Sequence, residues 1–526
     1  MQDADAIVIG AGHNGLAAAI YLAKAGWKVL VIDKATLPGG ASKSAEITLP
    51  GFKHDLYATN IGLFLGSALY RDFGKELHAE GFEIVSSSHP FVSLFPDGDY
   101  IGMHQDGSQT VQEFERHSSH DAQAWLDLLA YFKKTSDYLL PLLQTEMPST
   151  MALKLLWKMY RGLGKQASLE LIQMLMKSSR QFVDAWFESE KVKALFVPWG
   201  MHLDFGPDVP GGATFPFLEP PIDHLNGMAF TKGGISNLID AMVRVIEKNG
   251  GQVLLGQNVS QILVKNNRAV GIKTVGGKEY YAQKAVIANL TPTQLFLHLL
   301  PKSTVPSAVL EKASKFRYGP GTMMIHLAMS KPVEWKSGQS INNYAYVHIG
   351  PFLEDFARTY QEAIDGYLPA SPMLVIAQHT PNDTTRAPSG KHTLWIQVRA
   401  LPAKPHKDAL GILVAENWDN IKEQYADRVI EKLTIYAPSI RDSILKRTVL
   451  SPDDLQKENP NLVGGDSVAG SHHLDQFYLF RPMPGWSRYQ SSLPGLYMTG
   501  ASTWPGGGLN ATSGALVAQK ILRKRR

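Results

Sequence analysis

The chain has 526 residues, which is more than one compact hydrophobic core holds, so two or more domains are expected. Its formal net charge of +4 comes from 52 basic and 48 acidic residues, and so small an excess argues against a nucleic-acid partner. There are no cysteines, which excludes disulfide bonds, thiolate metal sites and a redox dithiol, and no spaced set of histidines predicts another metal site.

Targeting and membrane signals are also missing from the sequence. The first apolar strand begins almost at once, without the basic segment that opens a signal peptide, and no run of about eighteen apolar residues occurs. We therefore expect a cytoplasmic protein without a transmembrane helix. The basic tail, from Arg523 to Arg526, is interpreted as the solvated end of a helix.

The first informative motif is a glycine-rich turn near the N-terminus. An apolar run, residues 7–9, is typical of a buried parallel strand, and Gly10, Gly12 and Gly15 then complete G-x-G-x-x-G before a predicted helix over 16–25. In this setting the first glycine permits the turn, the second lets the backbone approach a pyrophosphate, and the third lets helix and strand pack closely. The motif therefore predicts a dinucleotide-binding site.

An acidic residue and a second glycine pair extend this predicted site. Asp33 ends the next strand, residues 28–32, at the distance where a carboxylate accepts hydrogen bonds from a ribose, and Lys34 follows it. Gly39 and Gly40 come shortly afterwards. A glycine pair so close to the ribose-binding acid favours a flavin enzyme over a simple NAD-binding domain.

The segment that follows the first motif is predicted to be largely helical. Residues 120–195 carry apolar positions at helical spacing, which favours a helical cap over a substrate cavity. Within it, residues 151–175 combine apolar side chains such as Leu153 and Trp157 with Lys154 and other basic residues. A basic amphipathic helix of this kind also suits a membrane surface. The composition favours the cap, and membrane contact stays open.

The chain then returns to a nucleotide-binding pattern. A helix over 235–246, a meander of strands from Val259, and a buried strand over 285–288 follow one another, as in flavoproteins with two dinucleotide-binding domains. Residues 301–455 carry no chemistry of their own, and we expect a sheet that forms the floor of a ligand pocket.

A second glycine-rich turn lies near the C-terminus. A strand over 495–500 leads into Pro505-Gly506-Gly507-Gly508-Leu509-Asn510, and a helix is predicted over 511–523. The positive end of a helix suits a reduced flavin, because the N1–C2=O edge of that ring becomes anionic. The sequence therefore predicts that the two glycine turns, one from each end of the chain, meet around a single FAD.

With these motifs the chain resembles the phytoene desaturase branch of the FAD-dependent, amine-oxidase-like oxidoreductases. The matches extend over the full length and include Lys232-Gly233-Gly234 and the block His473-Leu474-Asp475-Gln476 with Arg481-Pro482. That block is similar to one in desaturase-type β-carotene ketolases and in the pyridine nucleotide-disulfide oxidoreductase-like proteins of animals. The chain departs from the desaturase pattern at one place, where it has Leu509-Asn510-Ala511-Thr512 and desaturases usually have Ile-Pro-Gly. This difference counts against carotenoid specificity and does not affect the prediction of flavin binding.

The motifs and the resemblance together imply an α/β fold, that of a two-dinucleotide-binding-domain flavoprotein. A Rossmann-like FAD domain would comprise residues 1–75, 222–300 and 456–526. A discontinuous α+β substrate domain with its helical cap would comprise residues 76–221 and 301–455.

The resemblance also implies roles for individual residues. The predicted FAD-binding residues are Gly10, Gly12, Gly15, Asp33, Lys34, Gly39, Gly40, Val259, Gly500, Pro505, Gly506, Gly507, Gly508, Leu509 and Asn510. The candidate polar residues beside the flavin, for which a catalytic and a structural role are equally open, are His473, Asp475, Gln476 and Arg481. His202 and His224, in loops rich in proline and glycine, are interpreted as packing or surface residues.

We therefore expect an FAD-dependent oxidoreductase of the desaturase or dehydrogenase type. It would remove a hydride from a lipophilic, unsaturated or isoprenoid-like substrate and pass it to flavin N5. Two alternatives stay open, a flavin amine oxidase and a non-catalytic prenyl- or lipid-binding chaperone on the same scaffold. The sequence does not specify the substrate, the choice among desaturation, isomerisation, ketolation and saturation, the electron acceptor or the oligomeric state.

Overall fold

The structure is a computed structural model, and it describes residues 3–523. The predicted basic tail lies outside the described residues beyond Arg523. In the described part of the chain, every helix is too short or too polar to cross a bilayer.

Twenty strands are present among the described residues. In chain order they are β1 (Asp3–Ile9), β2 (Val29–Ile32), β3 (Ser44–Ala45), β4 (His54–Asp55), β5 (Ile84–Ser87), β6 (Phe91–Leu94), β7 (Tyr100–Met103), β8 (Met228–Thr231), β9 (Gln252–Leu254), β10 (Val259–Lys265), β11 (Arg268–Thr274), β12 (Glu279–Ala288), β13 (Gly321–Met329), β14 (Tyr346–Ile349), β15 (Tyr367–Leu368), β16 (Met373–Ala377), β17 (His392–Leu401), β18 (Lys407–Asp408), β19 (Ile444–Leu450) and β20 (Leu496–Met498).

Seventeen α-helices connect these strands within residues 3–523. They are α1 (His13–Lys24), α2 (Gly62–Leu65), α3 (Ala68–Ala79), α4 (Gly107–Glu115), α5 (Ser119–Leu143), α6 (Thr150–Leu163), α7 (Lys165–Met176), α8 (Ser179–Trp186), α9 (Glu190–Met201), α10 (Thr214–Asn226), α11 (Ser236–Lys248), α12 (Ser307–Ser314), α13 (Leu353–Ile364), α14 (Trp418–Thr434), α15 (Ile440–Ser443), α16 (Pro452–Glu458) and α17 (Thr512–Arg523). One π-helix, Thr293–Leu299, follows β12.

The first large sheet is assembled from three distant parts of the chain. Its strand order is β10-β11-β12-β1-β2-β9, and β20 pairs with β12 in parallel. Val8 on β1 lies opposite Val31 on β2 and Ile287 on β12, and Ile287 lies opposite Tyr497 on β20. Because β12 lies between β1 and β20, the strands that precede the two glycine turns reach the same end of one sheet. The predicted short strand over 285–288 is the end of the continuous strand β12, which begins at Glu279.

The first and last helices pack against each other on this sheet. Gly514 in α17 lies so close to α1 that an ideal Cβ would come within 2.0 Å of the carbonyl oxygen of Asn14. The Gly514 N–H also donates to Asn14 Oδ1 at 3.3 Å. The absence of a side chain at Gly514 therefore permits the contact that joins the two ends of the chain.

The second large sheet has the order β19-β13-β17-β16-β14-β6-β7 and separates two cores. Alternate residues of β17 face opposite sides, as the pleat requires. Leu394 and Ile396 pack in the same core as Trp418 and Tyr425 of α14, whereas Trp395 packs in the core that contains α5 and α8–α10. This sheet thus supports the helical segment between β7 and β8. The five-part division into domains stays a prediction.

A buried ionic network joins three segments that are far apart in the sequence. The Arg386 side chain, fully buried, donates from Nε to Asp383 Oδ2 at 2.8 Å and from Nη2 to Asp55 Oδ2 at 3.1 Å. Asp383 also accepts from the Gly233 N–H at 2.7 Å, and Asp55 from the Ile235 N–H at 2.8 Å. The predicted Lys232-Gly233-Gly234 motif is therefore fixed to this network at the start of α11.

Candidate functional site

The N-terminal glycine turn presents bare backbone to a deep cleft. An ideal Cβ on Gly15 would lie 2.2 Å from the carbonyl oxygen of Gly10, and one on Gly12 would lie 3.0 Å from Asn289 Nδ2. Gly10 and Gly12 line the cleft, and no side chain caps the N-terminus of α1. The helix therefore directs its positive end, with uncovered N–H groups, toward an anion in the cleft.

The second glycine loop lies directly on the first. The Gly39 N–H donates to the carbonyl oxygen of Ala11 at 2.9 Å, and an ideal Cβ on Gly40 would lie 3.2 Å from Gly12 Cα. Gly39 and Gly40 both line the cleft. Side chains at these positions would fill the space beside the N-terminal turn.

Asp33, at the end of β2, lines the same cleft and is half-buried. Its Oδ2 accepts from the Ala11 N–H at 2.7 Å, and its Oδ1 accepts from the Ala35 N–H at 2.8 Å. A carboxylate has about four acceptor positions, so two remain for the hydroxyl groups of a ribose. The orientation of Asp33 is thus fixed by the backbone while part of its hydrogen-bonding capacity stays free.

The C-terminal turn reaches this cleft from the other end of the chain. Gly500, Gly508 and Leu509 line the cleft together with the N-terminal turn. Burial lowers the pKa of His13 to about 4, and a backbone hydrogen bond with Gly508 opposes that shift. His13 follows the N-terminal turn directly, so the prediction that the two glycine turns meet in space is confirmed.

The other predicted FAD-binding residues do not line the cleft. They are Gly15, Lys34, Val259, Pro505, Gly506, Gly507 and Asn510. Several of them shape the loops: the Gly507 N–H donates to His472 Nε2 at 2.8 Å, and Asn510 Oδ1 accepts from the Thr512 N–H at the start of α17 at 2.9 Å. Their contact with FAD stays a prediction.

The cleft continues into a cavity with an aromatic wall. Trp199 comes from α9, Phe215 from α10, Tyr346 from β14 and Trp395 from β17. The rings of Tyr346 and Trp395 are stacked, with centroids 6.0 Å apart and an interplanar angle of 11°. The glycine turns and the aromatic side chains thus line one continuous cavity.

The residues of the cleft fit the chemistry of FAD. Glycine positions where a Cβ would clash or fill the space leave backbone for a pyrophosphate, and Asp33 keeps free acceptor positions for a ribose. Gly500 and Gly508, near the C-terminal end of the chain, line the same cavity as the aromatic residues. Bound FAD supplies a two-electron acceptor there, and the protein supplies binding and orientation.

Two of the four residues predicted beside the flavin, Gln476 and Arg481, bind backbone groups of the loops around them. Arg481 is fully buried, and its guanidinium donates to the carbonyl oxygens of Ser471 at 2.7 Å and Ala501 at 2.7 Å. The Gln476 side chain accepts from the Arg317 N–H and donates to the Arg317 carbonyl oxygen, both at 2.8 Å. Neither side chain lines the cleft.

The other two lie away from the cleft as well. The Asp475 carboxylate is exposed and pairs with Arg317. His473 Nε2 lies 3.0 Å from the carbonyl oxygen of Asp204, and burial lowers the pKa of the His473 imidazole. These contacts favour the structural interpretation of the block, and a catalytic role for its residues stays a prediction.

Polar residues that the sequence did not assign to a site do line the cavity. Among them are His202, Glu219, Gln397 and Arg399. Gln397 and Arg399 alternate with buried apolar residues on β17, so the two-residue period of that strand could have indicated their common face. His202 lines the cavity, whereas His224 is buried in packing and bonds through Nδ1 to the carbonyl oxygen of His104 at 2.7 Å.

Arg399 is held firmly at the cavity wall. Its guanidinium donates to the Met201 carbonyl oxygen at 3.0 Å and to Ser467 Oγ at 2.6 Å, and burial lowers its pKa to about 10. It therefore carries positive charge near neutral pH. In residues 3–523, one group of three side chains, His120, Asp121 and Glu188, brings ligand-type atoms together as a metal site would. It lies at the surface at the start of α5.

A dinucleotide crevice at the end of a largely parallel sheet, joined to an aromatic cavity, defines a flavin-dependent oxidoreductase. The comparison with protein families agrees: the model for FAD dependent oxidoreductases matches residues 5–307, more than half of the chain. The chain belongs to this family, and its cofactor is FAD.

Relatives and solved structures agree with this assignment. The chain is 27% identical to the rat pyridine nucleotide-disulfide oxidoreductase domain-containing protein 2, over 99% of this chain and 93% of the relative. It is 26% identical to a neurosporene-forming phytoene desaturase of Rhodobacter capsulatus, over 98% of this chain and 93% of that protein. An engineered putrescine oxidase has the same fold, with a TM-score of 0.62, 14% identity and 99% coverage of both chains.

Proposed function

We propose that this FAD-dependent oxidoreductase is of the desaturase or dehydrogenase type and removes a hydride from a lipophilic, isoprenoid-like substrate. The observation that carries the proposal is the aromatic wall of Trp199, Phe215, Tyr346 and Trp395 within the cleft that holds the glycine turns. Relatives named as phytoene and diapophytoene desaturases support the same substrate class.

The chain's own contribution is to bind and orient the substrate and to exclude water. Flat aromatic side chains bind an apolar, unsaturated body through their large contact area. Removal of a hydride leaves cationic character on carbon, and the electron-rich faces of these rings stabilise positive charge. Exclusion of water protects such a reactive centre from side reactions.

Anaerobic titration of the purified protein tests this proposal. The protein as isolated should be yellow, release FAD on denaturation, and lose its visible flavin absorption when an unsaturated isoprenoid hydrocarbon is added without oxygen. Trp199→Leu should weaken this response, whereas Trp157→Leu, an exposed tryptophan on α6, should leave it unchanged. A colourless protein that binds no FAD after reconstitution, or a flavin that no isoprenoid reduces, refutes the proposal.

The amine oxidase alternative uses the same scaffold, as the putrescine oxidase fold illustrates. It predicts release of hydrogen peroxide with simple amines in air, which a coupled peroxidase assay detects. The chaperone alternative requires neither Asp33 nor the glycine turns, because these residues bind a dinucleotide. Retention of a lipid partner by a soluble Gly12→Val variant that has lost FAD would support the chaperone.

Contact with a membrane is part of the proposal, because a lipophilic substrate resides in lipid. The helices α6 and α7 expose large apolar side chains, and Leu153 and Trp157 are 68% and 60% exposed. Apolar side chains beside basic ones bind an anionic bilayer surface. The exposed members of this patch are Met151, Leu153, Leu156, Trp157, Tyr160, Leu169, Ile172 and Met176, with Lys154, Lys158, Arg161 and Lys165.

Co-sedimentation with anionic vesicles tests the membrane contact. Reversal of charge at Lys154, Lys158, Arg161 and Lys165 should reduce the bound fraction, and Leu153→Ser with Trp157→Ser should reduce it further. An equal number of charge reversals among exposed lysines of the described surface outside 151–175 serves as the control. Equal sedimentation of all forms refutes membrane contact through this patch. A cytoplasmic location remains part of the same proposal.

A further inference from the structure

Glu219 places an unpaired carboxyl group in the aromatic cavity. On α10, Phe215 and Glu219 are one helical turn apart, and both line the cavity. Within residues 3–523 the Glu219 carboxyl has no hydrogen-bond or ion-pair partner, and burial alone raises its pKa to about 7. A carboxyl group on an aromatic wall is costly to desolvate, so packing does not account for it.

A second carboxyl group lies one further turn along α10. Asp223 is 2% exposed, and its Oδ2 has no hydrogen-bond partner in the described structure. Burial and the charge of Glu219 both raise the pKa of Asp223. Because two neighbouring carboxyl groups without a cation repel each other as anions, the pair holds one proton more strongly than an isolated carboxyl group does.

A carboxyl pair that keeps one proton can both donate and accept a hydrogen bond. A hydroxyl group also donates and accepts, so it satisfies both functions of the pair. An ammonium group is attracted by the negative charge of the pair but only donates, so the protonated carboxyl group finds no acceptor on it, and a hydrocarbon neither donates nor accepts. A ligand that leaves the pair unsatisfied incurs the free-energy cost of a buried unpaired polar group, which is the basis of discrimination between such ligands.

We propose that the substrate carries a hydroxyl group on its lipophilic body, and that Glu219, with Asp223 as its positioning neighbour, binds this hydroxyl in the cavity. The proposal rests on the proposed function and adds the polar end of the substrate to it. The aromatic residues bind the apolar body, and the carboxyl pair determines which end of the molecule enters that part of the cavity.

Binding of three ligands with one carbon skeleton, to protein whose FAD has been reduced beforehand, tests the proposal without turnover. The ligands are geraniol, geranylamine and the diene in which hydrogen replaces the hydroxyl. Quenching of tryptophan fluorescence in the FAD-loaded protein, without oxygen, reports binding because Trp199 and Trp395 line the cavity. We expect geraniol to bind at least about tenfold more tightly than the diene, as a hydrogen bond to a carboxyl group provides.

Substitutions on α10 separate the carboxyl group from the fold of the cavity. Glu219→Met should abolish the preference for geraniol and leave the affinity for the diene intact or higher, which also verifies that the cavity is folded. Glu219→Gln should retain most of the preference, because an amide still donates and accepts. Glu247→Met, an exposed glutamate on α11, should behave as the wild type.

Three outcomes overturn the proposal. They are equal binding of geraniol and the diene to the wild type, an unchanged preference in Glu219→Met, and tighter binding of geranylamine than geraniol, which indicates an ammonium head instead. None of these outcomes alters the FAD content or the reduction of the flavin by isoprenoids. Failure of this inference is therefore distinguishable from failure of the proposed function.

Discussion

Replacement of Asp33 by alanine tests the cofactor site most directly. The substitution removes the two free acceptor positions that we assign to the ribose and leaves the N–H groups of Ala11 and Ala35 without their present acceptors. A hydrogen bond to a charged group contributes about 1.5–3 kcal/mol, and each 1.4 kcal/mol is a factor of about ten in affinity. Since Asp33 is half-buried, we take the lower value for each of two bonds and expect FAD affinity to fall about 100-fold.

Apoprotein titrated with FAD measures this effect, because binding changes the fluorescence of the flavin. Asp33→Asn keeps one acceptor oxygen and should lie between the wild type and Asp33→Ala. Asp365→Ala, which removes an exposed carboxylate on the substrate side of the molecule, should leave FAD affinity unchanged. An Asp33→Ala affinity within about threefold of the wild type would show that the carboxylate does not bind the cofactor, and the reasoning about its free acceptor positions would be wrong.

Arg386→Met removes the guanidinium that pairs with the buried carboxylates of Asp55 and Asp383, and it should lower the free energy of unfolding at pH 7 by about 3–5 kcal/mol in denaturant titrations. Arg441→Met, which breaks an exposed ion pair with Glu431, should lower it by less than about 1 kcal/mol. Arg386 is the main cause of the lowered pKa of the Asp55 carboxyl, and at Asp383 it adds to the hydrogen bonds from Thr385 and Gly233. Its stabilisation should therefore be present above pH of about 4 and be lost as the pH falls further; a pH-independent difference contradicts this. Burial lowers the pKa of Lys432 to about 7 from 10.5, so the unfolded chain binds more protons between these values. Lys432→Met removes this penalty but also the hydrogen bonds to the carbonyl oxygens of Gly350 and Pro372, so its stability relative to the wild type should be highest below pH 7 and should fall toward pH 10.5 in thermal unfolding. Gly514→Val should prevent α17 from packing on α1 and abolish both soluble yield and FAD content. Gly276→Ala should alter neither, because an ideal Cβ there would come no closer than 3.9 Å to a neighbouring residue, the hydroxyl oxygen of Thr274; a soluble, yellow Gly514→Val protein would disprove the packing argument.

Local motifs at both ends of the chain allowed the fold and the cofactor to be predicted. The turn through Gly10, Gly12 and Gly15 has a physical requirement at each glycine, and the following helix was predicted to end at Ala25 and ends at Lys24. The meander after Val259 was also predicted, although β12 is one strand where two were expected. Such features follow from residues close in sequence, so a single chain reveals them.

Sequence patterns did not predict which residues form the wall of the cavity. Glu219 belongs to a helix with two internal prolines, and its carboxyl becomes notable only when no partner approaches it in the fold. Arg399 lies on a strand from a different part of the chain. In the block from His473 to Arg481, by contrast, the sequence predicted candidate catalytic residues. In the structure, Arg481 donates hydrogen bonds to the backbone of its own loop. Tertiary contacts determine which of these groups face a ligand.

The position of β20 and α17 sets an order of events during synthesis. The N-terminal turn is translated long before the strand and helix that complete its surroundings, because β20 begins only at Leu496. While the residues between the two turns are being translated, a nascent chain has the N-terminal glycine turn but not the C-terminal one. We therefore expect a product that ends before β20 to lack the C-terminal half of the cofactor site and to bind no FAD.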